Sequence, residues 1–229
     1  MRPRTLRWVG AAVGLFVLGA TWHNPITSTA TFAADRTDDE RRVPPVDSRT
    51  WKKLEQVRKL IKSEQFADAA STLETMVSRP RRHNKNELSL MHQMLGHAYW
   101  ELEQLPKAIE HYERALDQVP FISEAMESTL LHTLAKLCFL EGDDAGELGN
   151  RWYSRARSAM ESYLALATDP GPTAYYFLAQ THYALKEYQA GIKSVETAIR
   201  IAEEGGVPVK ENWIRLLEYM RWKADADTG

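Results

Sequence analysis

The sequence predicts an all-α protein, a stack of about four helix pairs followed by one further helix. Three observations predict it. A spacing recurs, because Leu95 to Ala108 and Leu178 to Gly191 are both 13 residues apart, a large apolar residue answered by a small one. Apolar residues return at helical intervals from about residue 48 to residue 222, and no run shows the period-two alternation of a half-buried strand. Proline and glycine mark the breaks. Pro80, Pro120, Pro170 and Gly205-Gly206 follow helical runs, whereas Pro106 and Pro172 suit first turns, where a missing N–H costs nothing. Helices are expected near 48–63, 66–78, 87–102, 106–118, 123–140, 150–168, 173–185, 188–203 and 210–222.

The chain opens differently. Met1–Arg7 carries Arg2, Arg4 and Arg7 and no acid, Trp8–Trp22 is an uncharged run of 15 residues, and Ser28–Ala34 is rich in small residues. That order is the pattern of a secretory signal peptide, cut after Ala30 or Ala33. The apolar run falls short of the roughly 20 residues of a spanning helix. An uncleaved signal anchor is the alternative for residues 1–34, and either way the positive start stays inside and the rest is placed across the membrane. Residues 35–47, charged and carrying Pro44-Pro45, are expected to be a flexible linker.

The helix pairs follow in order. Residues 50–80 carry Leu60, Phe66, Ala69, Leu73 and Pro80, with Gln56-Val57 at the closest-approach position. Residues 89–120 carry Leu95, Gly96 and Tyr99, then Ala108, Tyr112, Ala115 and Pro120. Residues 128–170 carry Leu131, Leu134, Ala135 and Cys138, then Ala159, Tyr163 and Pro170. Leu134 to Ala159 is 25 residues, and the excess falls at Glu141–Tyr153, where Gly142, Asp143, Asp144, Gly146 and Gly149 give loop composition, with extension of the following helix left open. Residues 172–203 carry Tyr175, Leu178, Ala179, Tyr188, Gly191, Val195 and Ala198. Trp213, Leu216 and Met220 repeat a first-helix pattern with no second helix after them, and residues 223–229 are expected to be a disordered tail.

Residues 89–120 resemble one tetratricopeptide repeat, whose pattern is W-x2-L-G-x2-Y, then A-x3-F, then P. The resemblance extends, in degraded copies, over about residues 48–222. It implies a right-handed solenoid in which a unit cannot bury its apolar faces alone and the terminal helix acts as a cap. It also implies that the first helix of each pair lines a concave face. The positions so placed are Gln93, His97 and Trp100, then His132, Lys136 and Phe139, then Tyr176, Gln180 and Tyr183. Each triplet keeps helical spacing and forms one stripe. Trp100, Phe139 and Tyr183 could serve groove or core, whereas Tyr176 is expected to be exposed. The two-carboxylate clamp of chaperone-binding repeats needs Lys and Asn where this chain has Leu54 and Arg58, which argues against a ligand of that kind.

No catalytic constellation emerges. His92 and His97 are five apart, one too many for a zinc pair on one helix face, and Gln93 cannot act as the base of such a site. His97 and Glu101 suit an ordinary helix contact. There is no G-x-S-x-G and no phosphate-binding loop. The one cysteine, Cys138, cannot form an internal disulfide and sits at a packing position. No cofactor or metal is expected. The net charge is −2, and removal of residues 1–34 leaves 26 basic against 31 acidic residues, a balance that disfavours nucleic acid. The basic cluster Arg79, Arg81, Arg82 and Lys85 is expected to be a solvated loop.

These observations lead to a non-enzymatic adaptor of the cell envelope, periplasmic, exported or anchored facing the periplasm, that binds a peptide or helix of another envelope protein in its groove. The competing classes are a solute- or small-ligand-binding protein and an accessory subunit of an energy-transducing or envelope-assembly complex. Residues from Ala174 to Leu217 are similar to exported repeat proteins associated with TonB-type systems.

Overall fold

The computed structural model describes residues 41–226. Among them nine α-helices succeed one another: α1 (Ser48–Lys62), α2 (Phe66–Val77), α3 (Lys85–Glu101), α4 (Leu105–Leu116), α5 (Glu124–Asp144), α6 (Gly149–Leu166), α7 (Pro172–Ala184), α8 (Tyr188–Glu204) and α9 (Glu211–Ala226). Each helix packs on the next, giving four pairs and a ninth helix laid on α8. This is the predicted solenoid of helix pairs. No described helix is long and apolar enough to cross a membrane. Residues 1–34 and the first part of the expected linker lie outside the described residues.

The turns inside three of the pairs are made by one device. Glu64, Glu103 and Lys186 have φ of 58°, 57° and 62°. The next N–H then donates to a carbonyl five residues back: Gln65 to Leu60 at 2.9 Å, Gln104 to Tyr99 at 2.9 Å, and Glu187 to His182 at 2.8 Å. These bonds satisfy carbonyls that the helix end leaves orphaned. The chain thereby reverses within about three residues, so consecutive helices lie side by side.

Close approach follows from the small residues. A Cβ on Gly96 would sit 2.6 Å from the Tyr112 ring and 3.3 Å from the Ala108 carbonyl oxygen. Leu95, Ala98, Ala108, Ile109 and Ala115 are buried around this contact. The predicted Gly96–Ala108–Tyr112 packing is therefore observed.

The expected loop at 141–153 is a correction. α5 runs on to Asp144 and α6 begins at Gly149, with one 3-10 turn (Gly146–Leu148) between them. The glycines serve contact rather than a loop. A Cβ on Gly142 would lie 2.6 Å from the Tyr153 ring, and one on Gly149 would lie 2.7 Å from the Gly142 carbonyl oxygen. The Tyr153 hydroxyl donates to Asp143 at 2.6 Å. The extra residues thus lengthen both helices of the third pair.

The stretch expected to be a flexible linker also differs over residues 41–47. The Pro44 and Pro45 carbonyls accept from Asn86 at 2.9 Å and Asn84 at 2.8 Å. Asp47 caps α1, and its N–H donates to Glu87 at 2.7 Å. Arg41 pairs with Glu127. Glu87 is only 2% exposed. It is also half of a capping box with Asn84, so its buried carboxylate is satisfied by two backbone N–H groups. That pattern was in the sequence as Asn84-x-x-Glu87. At the other end, residues 223–226, expected within a disordered tail, belong to α9, and Ala224 is buried.

The core divides inside α7. Leu178 belongs to the cluster running through α1–α6, while Ala179 belongs to one formed with α8 and α9 around Trp213, which is 1% exposed. Cys138 is buried in the first cluster, and burial pushes its thiol up to about 12, as suits a small apolar residue.

Gly96→Ala tests the close approach. It is expected to cost about 1–3 kcal/mol through overpacking, because the Tyr112 ring has to shift. Thermal unfolding of the two proteins measures it, and an unchanged midpoint rules out the contact described.

Candidate functional site

The nine predicted groove residues divide into those used up by packing and those left open. On α3, the His97 ring stands edge-on to Phe66 at 6.2 Å, and its Nδ1 is 3.9 Å from Glu101. Trp100 is partly buried against the main core, and Gln93 is partly exposed. On α5, His132 stacks on Tyr163 of α6 at 4.8 Å, so it faces its own pair. Phe139 lies between Tyr153 and Phe177, 5.3 Å from each. Lys136 is exposed, although desolvation still lowers its ammonium pKa from the ordinary lysine value. On α7, Gln180 is partly exposed and Tyr183 is 41% exposed.

Tyr176 is not the exposed ring expected of it. It stacks on Trp213 at 5.3 Å with 22° between the planes, and its hydroxyl accepts from Asn212 at 3.1 Å. The cause is α9, which covers α7 just as α7 covers α5.

The same covering adds a row that sequence reasoning missed. Arg215, Tyr219 and Trp222 each stand 39 residues after Tyr176, Gln180 and Tyr183. His132, Lys136 and Phe139 likewise stand 39 after Gln93, His97 and Trp100, so the signal was available. Tyr183 meets Tyr219 edge to face at 5.6 Å, and Tyr219 meets Trp222 at 5.7 Å. Tyr219 is 40% and Trp222 60% exposed. The Lys223 ammonium hangs 4.7 Å over Trp222 and 5.8 Å over Tyr219. Three exposed rings joined through Tyr219 form a patch of the kind that marks interaction sites.

A different cleft, of about 410 Å³, opens between α2 and α4 and is lined by Glu74, Tyr99, Lys107, Glu110, His111 and Arg114 among others. Its charges are occupied. Arg114 pairs with Glu110 at 2.6 Å, Lys107 sits 4.8 Å over the Tyr99 ring, and the Tyr99 hydroxyl donates to Glu74. His111 stacks on Tyr99 and shares a 3.1 Å Nδ1–Nδ1 hydrogen bond with His92, in which one ring donates. Among the described residues no three His, Cys, Asp or Glu side chains are gathered to hold a metal. Arg79, Arg81, Arg82 and Lys85 are exposed as expected, but not in a plain loop: Pro80–Arg82 form a 3-10 turn and Lys85 opens α3.

Residues 90–118 and residues 139–205 match family models of the tetratricopeptide repeat. Solved structures of similar fold include a MamA double mutant of RS-1 (14% identical, covering 78% of this chain and 86% of that one, TM-score 0.59). Another is MamA from Desulfovibrio magneticus RS-1 (16% identical, 78% and 87%, TM-score 0.57). A third is a putative kinesin light chain of Podosopora anserina with nearly identical TPR-like repeats (16% identical, 78% and 88%, TM-score 0.54). At these identities the likeness is one of fold. A search of curated proteins finds no match.

Two predictions follow from the packed residues. Burial pushes His92 and His132 down to about 4, assisted by His111 and Arg114 for the first and by Lys136 for the second. A folded-state pKa below the unfolded value of about 6.5 means that the unfolded chain takes up protons first. Stability is therefore full above that value and falls as pH drops towards 4. His132→Phe keeps a ring on Tyr163 and removes one titration, so its thermal midpoint should fall less than the wild type's across that window. Tyr176→Ala should cost about 2 kcal/mol, since it strips the Trp213 stack and a hydroxyl bond. Parallel denaturant titrations of the two chains read the difference.

Proposed function

The chain is a tetratricopeptide-repeat protein, and from that premise we propose that it is a non-enzymatic adaptor of the cell envelope that holds another protein along the face of its first helices. Repeats of this family typically act as scaffolds for protein–protein interaction rather than as catalysts. The observation that carries the finer reading is the row alignment. α3, α5, α7 and α9 repeat one set of positions, and those positions end in the contiguous exposed rings Tyr183, Tyr219 and Trp222. A face open along its length suits an extended peptide or a helix, whereas a small molecule wants an enclosed pocket.

The envelope location rests on residues 1–34, whose basic start, apolar run and small residues carry the export pattern. The repeats then act on the far side of the membrane, free after cleavage or tethered by the uncleaved segment. The partner is a segment of another envelope protein.

Site-specific photo-cross-linking in cells tests both parts. A benzophenone side chain at Gln180, on the first-helix face, should give a discrete protein adduct in the envelope fraction. The same group at Lys193, exposed on α8, should not. Adducts confined to Lys193, or recovered only from the cytoplasm, would sink the proposal.

A further inference from the structure

We propose that the partner segment is acidic and carries an aromatic or long apolar side chain, anchored where α7 and α9 meet. This rests on the adaptor reading and names the chemistry of its ligand. The charge of the face points there. The rows on α5, α7 and α9 hold His132, Lys136, Phe139, Tyr176, Gln180, Tyr183, Arg215, Tyr219 and Trp222. Lys136 and Arg215 are cations, and none of the nine is a carboxylate, in a chain whose net charge is −2.

Neither Lys136 nor Lys223 makes an ion pair among the described residues, and the Lys223 ammonium is held over two of the three rings of the patch, Tyr219 and Trp222. With Arg215 paired to Glu211, the unpaired cations here are Lys136 and Lys223, few in number and set in a chain that is acidic as a whole, which favours an acidic peptide over a polyanion such as nucleic acid.

The rings define the other half of the ligand. Tyr183 and Trp222 each pack against Tyr219 between them, and all three rings keep part of their surface in solvent, Trp222 the most. A large apolar side chain laid on them buries area on rings that are already ordered, so little further entropy is lost. Carboxylates on either side of it meet Lys223 and Arg215. Arg215 now pairs with the exposed Glu211, a contact that a ligand carboxylate can replace. The anchor therefore lies at the end of the face formed by α9, and the packed rings of the α3 and α5 rows add shape rather than contact energy.

Fluorescence anisotropy on the full chain tests this with four probes: decapeptides alternating Glu with Phe, Lys with Phe, and Glu with Ala, and a ten-nucleotide oligothymidine. The Glu/Phe peptide should bind at least about tenfold more tightly than the other three. Trp222→Ala and Lys223→Glu should each weaken it about tenfold or more while leaving the chain folded, because Trp222 is exposed and Lys223 is only half-buried, outside the core. Equal binding of the Lys/Phe peptide or the oligonucleotide overturns the proposal, as does wild-type affinity in both variants. The adaptor reading is separated by the cross-link at Gln180. An adduct that persists unchanged in Trp222→Ala leaves that reading standing and removes this one, whereas no adduct from the first-helix face removes both.

Discussion

A side chain can lie flat on a neighbouring helix only where that helix offers no Cβ to stand in its way. Gly96 beneath the Tyr112 ring and Gly142 beneath the Tyr153 ring meet that condition inside two of the pairs, and Gly191 beneath the Met220 sulfur meets it between α8 and α9. Each contact sets how close two helices come and at what register along their length. Once the register is set, the first helices repeat the same turn of residues towards the same side, and the rows across α3, α5, α7 and α9 follow. The first-helix face is in this sense a by-product of packing against the second helices. The reversing turns at Glu64, Glu103 and Lys186 enforce the same outcome from the ends, because a fixed left-handed residue and a carbonyl bond five back allow one direction of return.

Residue spacing made most of this legible. The 13-residue interval fixed the pairing, and proline and glycine fixed the helix ends to within a few residues outside the third pair. The failures share a physical origin, namely residues whose local preference is overruled by a partner far away in sequence. Gly142 and Gly149 have loop propensity, but Tyr153 needs their bare backbone, and helix wins. Residues 41–47 are polar and proline-bearing, yet Asn84, Asn86 and Glu87 supply bonds to their backbone. Tyr176 looks exposed in any reading that stops at α7, because only α9 brings Trp213 against it. The row on α9 was missed for a related reason. Trp213, Leu216 and Met220 suggested the right helix, but the buried stripe runs through Trp213, Leu217 and Met220, so the outward positions fall one residue later than that spacing implies.

The face is uneven as a result. His97, His132, Phe139 and Tyr176 touch rings of neighbouring helices, and each such contact adds to folding stability. A ring engaged in this way has less area to offer a ligand. At the last position of each row, exposure rises from the half-buried Trp100 and Phe139 to Tyr183 and Trp222, because α9 has no following helix among the described residues to cover it. Order along the solenoid therefore shows in how much of the first-helix face is covered, since each row is covered in part by the next one and the last has none after it.

α9 stands at the end of that gradient and serves two purposes at once. Its inner stripe, Trp213, Leu217, Met220 and Ala224, closes the second core cluster against α8. Its other faces mix exposed charges, Glu211, Arg215, Glu218 and Arg221, with the exposed apolar Ile214, Tyr219 and Trp222, and Arg221 reaches Glu196 of α8 at 2.7 Å. Against that background Tyr219 and Trp222 stand out. Neither fills the core, and Trp222 in particular gives most of its ring to water, at a cost that a purely capping helix could avoid with a Lys or Glu. Their rings are instead aligned with Tyr183 and overlaid by Lys223. That arrangement lies outside both core clusters and adds nothing to the closure of the stack.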